Sequence, residues 1–103
     1  MRITIVSKDP PGGRCTLYIR YGEAIAEGCG GAVRVVTPGD GADIQPPALL
    51  AEERLIAPAD GLILSPMDVY TGIAALGMPV AGLATLLARL EQVEADFMEG
   101  LSS

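Results

Sequence analysis

Cys15 is the residue whose type and position are best suited to chemistry. It follows a loop of two prolines and two glycines, Pro10–Gly13, and it precedes a run of apolar residues with helical spacing. A thiol in the first turn of a helix lies at the positive end of the helix dipole, and Arg14 beside it adds a cation. Both favour the thiolate, which could attack a disulfide or a peroxide, or pair with another thiol. The alternative is a buried, unreactive side chain, because free cysteine is among the most buried residue types.

Cys29 is the only other cysteine in the chain. A helix over residues 15–28 would separate the two cysteines by roughly 21 Å along its axis. A disulfide needs Cα atoms within about 7 Å, so the two cannot pair within one chain. We therefore predict that Cys29 is structural and that Cys15, if it is functional, acts alone.

Metal binding and several kinds of catalysis are disfavoured by the residues that the chain lacks. It has no histidine, which excludes Ser-His-Asp and Cys-His catalysis, and two distant sulfurs cannot make a zinc site. Asp40 and Asp43 lie in a loop without the spacing of a calcium loop. We predict no metal and no cofactor. The segment Pro10–Thr16 could still hold an anion on the backbone N–H groups that follow its two prolines, although it matches neither glycine motif of nucleotide-binding loops.

Composition and charge narrow the class of protein further. With 103 residues, half of them apolar, the chain fits a single domain over residues 1–103. Seven basic and thirteen acidic residues give a net charge of −6, which argues against nucleic-acid binding. No apolar run reaches the roughly 18 residues of a membrane span. Without such a run we expect no membrane partner. Two cysteines make no disulfide framework, so we expect a reducing, cytoplasmic location.

The elements that must position Cys15 follow from the hydrophobic periodicity. A short β-branched run, an apolar pattern of helical spacing and a second β-branched run form a βαβ unit with parallel strands. Ser65, Pro66 and Asp68 form the N-cap and first turn of a later helix. The predicted elements are a strand over 2–7, a helix from 15 or 16 to 28, a strand over 32–37, a loop over 38–47, a hairpin of 48–51 and 54–57, an extended piece over 61–64, and helices over 66–76 and 80–99.

This arrangement resembles the thioredoxin-like fold over about residues 2–77. A strand ends in a Pro/Gly loop that delivers Cys15 to a helix N-terminus. Pro47 immediately precedes the strand Ala48–Ala51, where the family has a cis-proline facing the active-site cysteine. The stretch Pro47–Asp68 is similar to the hairpin and capped final helix of small members. The resemblance implies an α/β fold with a small mixed sheet and a cis Pro46–Pro47 bond. We predict Cys15 as the candidate catalytic residue, with Arg14 and Pro47 as substrate-binding residues beside it.

The chain departs from the family pattern at the active site. Gly12 stands where the first, nucleophilic cysteine of a Cys-x-x-Cys motif would be, so Cys15 matches only the second. The loop 38–47 is too short for the helix that full-length relatives carry there. We therefore predict a binding or assembly module without dithiol chemistry, acting on an unidentified protein partner. The alternative is a single-cysteine redox or thiol-transfer protein that uses Cys15, and exposure of that thiol discriminates between the two.

The C-terminal segment 80–103 is predicted to be an additional helix and a dimer contact. Its apolar residues recur three and four apart, a pattern typical of a coiled-coil seam, and its acidic residues occupy the other sides. A homodimer through residues 80–99 would cover this stripe, whereas packing against the chain's own sheet is the alternative. The stripe consists of Leu83, Leu86, Leu90, Val93 and Phe97.

Overall fold

The strands and helices follow one another in the predicted order. The computed structural model describes residues 1–9, 12–38, 44–77 and 80–102, with side chains at all of these except 80, 81, 101 and 102. The elements are β1 (Arg2–Val6), α1 (Gly13–Cys29), β2 (Ala32–Val36), β3 (Ala48–Ala51), β4 (Arg54–Ile56), α2 (Pro66–Ala74) and α3 (Val80–Ser102). β1, β2 and β4 each end one residue earlier than predicted. α1 begins at Gly13, two residues before Cys15, and α2 ends at Ala74 rather than near residue 76.

The four strands form one mixed sheet in the order β2-β1-β3-β4. β1 pairs with β2 in parallel, as the βαβ unit predicts, and the other two neighbouring pairs are antiparallel. The radius of gyration is 13.0 Å, about the value expected for a compact domain of this length. The chain is therefore a compact mixed α/β protein whose sheet has β2 and β4 at its edges.

α1 and α2 cover the same face of this sheet. Ile5 lies opposite Leu49 and Leu49 lies opposite Ile56, so these three side chains share one face, and all are buried. α1 approaches this face at Gly22, where an added Cβ would lie 3.1 Å from Ile5 Cδ1. α2 approaches it at Gly72, whose Cβ would lie 2.8 Å from Ile56. Close packing against glycine thus brings both helices onto the core side of the sheet.

The β3–β4 turn forms with residues that the sequence does not favour there. Glu52 and Glu53 have φ angles of 50° and 68°, the left-handed conformation that tight hairpin turns require at both central positions. Hydrogen bonds to Arg2, which lies outside the turn, compensate for the unfavourable φ angles of these two residues. The Glu52 carboxylate accepts a hydrogen bond from the Arg2 backbone N–H at 2.8 Å, and the Glu52 N–H donates to the Arg2 carbonyl at 2.9 Å.

The segment Gly61–Leu64, predicted to be extended, forms no strand. The Asp60 carboxylate accepts hydrogen bonds from the backbone N–H groups of Leu62 and Ile63, which bends the chain into a turn. α2 then begins as predicted, with a reciprocal pair of hydrogen bonds between Ser65 and Asp68. Local side-chain hydrogen bonding outweighs the apolar character of this segment because it satisfies two backbone donors.

α3 buries the predicted stripe within the chain instead of leaving it exposed for a second copy. Leu83, Leu86 and Leu90 are at most 7% exposed, and Val93 and Phe97 pack against the same core. The surfaces that cover them belong to α1 and α2. An apolar stripe specifies that a helix face must be buried but not by which surface, and here two helices of the same chain supply it. The oligomeric state itself stays a prediction.

Candidate functional site

Cys15 lies in the first turn of α1, in contact with the loop that follows β1. Its Sγ accepts a hydrogen bond from the Lys8 backbone N–H at 3.5 Å. The Ser7 hydroxyl, which donates to the Lys8 carbonyl at 2.8 Å, also lies beside the sulfur. Within the described residues no side chain caps the start of α1 at Gly12. The strand-loop-helix connection therefore brings backbone donors to the thiol, although only 2% of Cys15 is exposed.

The pKa of Cys15 is lowered by its neighbours against the effect of burial. Burial is the largest single influence and raises the pKa of the thiol. The Lys8 and Gly12 backbone and the nearby polar Ser7 hydroxyl act in the other direction, together with the positive charge of Lys8. Their sum exceeds the desolvation penalty, so the thiolate is favoured relative to a free cysteine.

Arg14 has a different role from the one that its position in the sequence suggested. Its guanidinium Nη1 donates to the Leu62 carbonyl at 3.0 Å, so it ties the start of α1 to the turn before α2. The cation that lowers the pKa of Cys15 is Lys8. Neighbours in sequence diverge at a helix start because successive side chains point about 100° apart.

Pro47 lines the same small cavity as Cys15. This cavity has a volume of about 110 Å³, and the Pro46–Pro47 peptide bond is cis. The three residues predicted as site residues, Arg14, Cys15 and Pro47, thus all line it. Its lining residues are Lys8, Gly12, Gly13, Arg14, Cys15 and Pro47. Residues 10 and 11 of the predicted anion loop lie outside the described residues.

A second, more apolar cavity also has Pro47 in its lining. We call it the Pro47 groove; its volume is about 230 Å³. Among its large apolar side chains, Leu55 is exposed, at 53%. Sequence reasoning missed this groove, although alternation along β4 between buried Ile56 and its neighbour could have indicated an outward-facing Leu55. The groove is lined by Tyr18, Ile44, Gln45, Pro47, Ala48, Leu55, Ile56, Ala57 and Pro58.

Tyr18 and Tyr21 connect the core to this end of the molecule. Both rings are buried. The Leu64 backbone N–H donates to the Tyr18 hydroxyl, and the Tyr21 hydroxyl donates to the Leu64 carbonyl, each at 3.1 Å. Burial raises the pKa of Tyr18, so its hydroxyl stays protonated and neutral. These bonds hold the chain before α2 firmly against α1.

Cys29 lies at the other end of α1 and forms no disulfide with Cys15. Burial raises the pKa of the Cys29 thiol, and the N-terminal ammonium partly opposes that rise. The described residues contain no cluster of three or more metal-ligating side chains, while Asp40 and Asp43 lie outside them. Among the described helices none is long and apolar enough to cross a membrane.

Comparisons of the chain with protein-family models, with curated proteins and with solved structures find no match. The geometry at Cys15 and in the Pro47 groove is therefore the basis for assigning a function.

Proposed function

We propose that this chain is a thioredoxin-like module that binds a protein partner through the Pro47 groove and performs no dithiol chemistry. The sheet order β2-β1-β3-β4 supports the fold assignment, with β3 antiparallel to its neighbours and a cysteine in the first turn of the helix after β1. The position of Pro47 beside Cys15 supports it further. We also propose a reducing, cytoplasmic location, because both thiols are free.

The contrast in exposure between thiol and groove carries this proposal. Cys15 is 2% exposed, which withholds the sulfur from a bulky substrate, whereas Leu55 in the neighbouring groove is 53% exposed. An exposed apolar side chain beside a concave apolar surface is typical of an interaction site. The low exposure of Cys15 and the high exposure of Leu55 therefore favour binding over thiol chemistry at this end of the molecule.

The groove suits apolar side chains of an extended segment. Its volume of about 230 Å³ lies below the roughly 300–1,000 Å³ typical of small-molecule sites. Its walls come from strand residues, prolines, the Tyr18 ring and residues of the adjoining loops, and none of the described lining residues is charged. A partner that presents one or two apolar side chains in extended conformation fits both the size and the chemistry.

Selection from a displayed library of random peptides tests this function. We expect enrichment of extended peptides with adjacent apolar residues. Leu55→Glu places a charge in the groove and should weaken the selected peptides at least about tenfold, or 1.4 kcal/mol. Leu62→Glu is the matched control, because Leu62 is 68% exposed and lies outside the groove; it should leave the affinity unchanged. Failure to enrich any peptide, or equal binding by the Leu55→Glu variant, contradicts the proposal.

A second function, thiol transfer or disulfide exchange through Cys15, is favoured by the lowered pKa of that thiol. The rate of alkylation by iodoacetamide separates the two functions in the Cys29→Ser background. A reactive site gives fast alkylation that changes little from neutral to alkaline pH. The binding module gives alkylation far slower than that of the unfolded chain, because the sulfur is shielded despite its favoured thiolate.

A further inference from the structure

We propose that β2 is the interface of a homodimer, in which the β2 strands of two copies pair antiparallel around Val35 and extend the two sheets into one of eight strands. This interface is independent of the Pro47 groove, because β2 and β4 are opposite edges of the sheet. It also differs from the α3 contact expected from the sequence, since the α3 stripe is already covered.

The outer edge of β2 carries unpaired backbone groups. The Ala32 N–H donates to Met1, and the Val36 carbonyl accepts from Ser7. In a parallel ladder, residues whose N–H and C=O groups both face the neighbouring strand alternate along the chain. Ala32, Arg34 and Val36 therefore face β1, while Val33 and Val35 direct their N–H and C=O groups outward. Within the described part of the chain nothing pairs with these outward groups.

The side chains of β2 offer little protection against pairing. Val35 is 47% exposed, so α1 leaves the apolar edge of the sheet partly uncovered. Proteins protect such edges with proline, bulges or several charges, and β2 contains neither proline nor glycine and carries only one charge, Arg34. An exposed strand of five residues without these features is suited to accept another strand.

The register follows from the hydrogen-bonding pattern and from charge. In an antiparallel pair related by a two-fold axis, centring on Arg34 would place two arginines opposite each other, which is unfavourable. Centring on Val35 pairs the outward groups of Val35 with those of the second copy and sets Arg34 against Val36. It also places the two exposed Val35 side chains next to each other on the helix-covered face. β2 is thus complementary to itself in this register.

The charge distribution favours a second copy as the occupant. Residues 1–50 carry five basic and five acidic groups, whereas residues 51–103 carry two basic and eight acidic groups and so account for the net charge of −6. β2 belongs to the neutral half and lies at the sheet edge opposite β4. Two β2 edges can therefore meet through segments of the neutral half, which limits the repulsion between the copies compared with a contact through the acidic half.

Measurement of the mass in solution tests this interface. The mass from light scattering of the full chain, measured from micromolar to millimolar concentration, should approach twice 10.6 kDa. Val35→Lys or Val35→Glu should each reduce the mass to that of one chain, because two like charges would meet at the axis. An equimolar mixture of these two variants should recover the dimer, since residue 35 then faces the opposite charge. Circular dichroism and thermal unfolding establish that each variant is folded.

Two surface variants distinguish β2 from other interfaces. Ala88→Glu on the exposed side of α3 and Leu55→Lys at the other edge of the sheet should leave the dimer intact. Slow amide exchange at Val33 and Val35 in the wild type, lost in the Val35→Lys variant, would locate the pairing. A wild-type mass of one chain throughout overturns the dimer. Dissociation by Ala88→Glu, or failure of the mixed Val35 variants to associate, overturns the pairing around Val35.

Discussion

The two ends of α1 carry the two cysteines of this chain and change their pKa values in opposite directions. Cys15, at the start, is the more deeply buried thiol, yet its pKa is lowered. Cys29, at the end, is only partly buried, and its pKa is raised. The difference lies in the donors: Lys8, Ser7 and Gly12 surround the first sulfur. Directed N–H groups and a nearby hydroxyl thus outweigh burial, and they come from the loop between β1 and α1 rather than from α1 itself.

The largest expected effect comes from crowding the Cys29 end. A Cβ on Gly31 would overlap the Met1 carbonyl oxygen, which accepts from the Ala32 N–H. Gly31→Ala should therefore lower the free energy of unfolding by about 2–3 kcal/mol, measured by urea denaturation. The rate of Cys15 alkylation in the Gly31→Ala variant should equal that of the wild type. Gly28→Ala is the control, because its Cβ would meet only ordinary contacts at 3.8 Å and beyond; it should stabilise by about 0.5–1 kcal/mol.

Serine substitution measures how much each thiol contributes to packing. Cys15→Ser replaces a buried thiol by a hydroxyl and should cost about 1–3 kcal/mol. Cys29→Ser changes a partly buried residue and should cost less than about 1 kcal/mol. Chemical denaturation under reducing conditions gives both values. An equal loss for the two variants would contradict the difference in burial between the ends of α1.

Stability should depend on pH with opposite sign at the two cysteines. Because the pKa of Cys15 is lowered on folding, its contribution is present above the ordinary thiol value of 9.0 and is lost as pH falls through the folded pKa. The pKa of Cys29 is raised, so its contribution is present below that value and is lost as pH rises through the folded pKa.

Free energies of unfolding between about pH 7 and pH 10 test these signs. The difference between wild type and Cys15→Ser should grow with pH, while that between wild type and Cys29→Ser should decline. Taking differences removes the titration of tyrosines that all variants share. Parallel slopes for the two differences would show that the donors around Cys15 do not favour its thiolate.

The smallest expected effect separates the two cations near Cys15. Lys8→Gln removes a positive charge that acts on the sulfur but keeps the backbone donor, so the pKa of Cys15 should rise slightly. Arg14→Gln removes a guanidinium that is bonded to Leu62, and the pKa should rise less. The pH dependence of iodoacetamide alkylation in the Cys29→Ser background reports both. A larger shift for Arg14→Gln would restore the role expected from the sequence.

Sequence reasoning placed Cys15 and Pro47 relative to the helices and strands but not the interactions around them. The Pro/Gly loop predicted that Cys15 lies at the start of a helix, and the strand pattern after Pro47 predicted that this proline precedes β3. Such residues mark loops and strand starts regardless of context. The donors to the sulfur and the bond from Arg14 to Leu62 depend on residues separated by up to 48 positions. Such contacts leave no local pattern, so only the folded chain reveals them.

The sequence by itself determined the elements whose causes are local. Ser65 and Asp68 cap α2 through bonds three residues apart, and the apolar spacing of α1 and the flanking β-branched runs define the βαβ unit. The tertiary structure alone decided what covers each apolar surface. Leu86 and Leu90 would satisfy a coiled-coil seam equally well, but α1 and α2 lie within reach in the same chain. Hydrophobic burial is non-directional, so the pattern of a helix specifies that a face is buried, and the fold specifies against what.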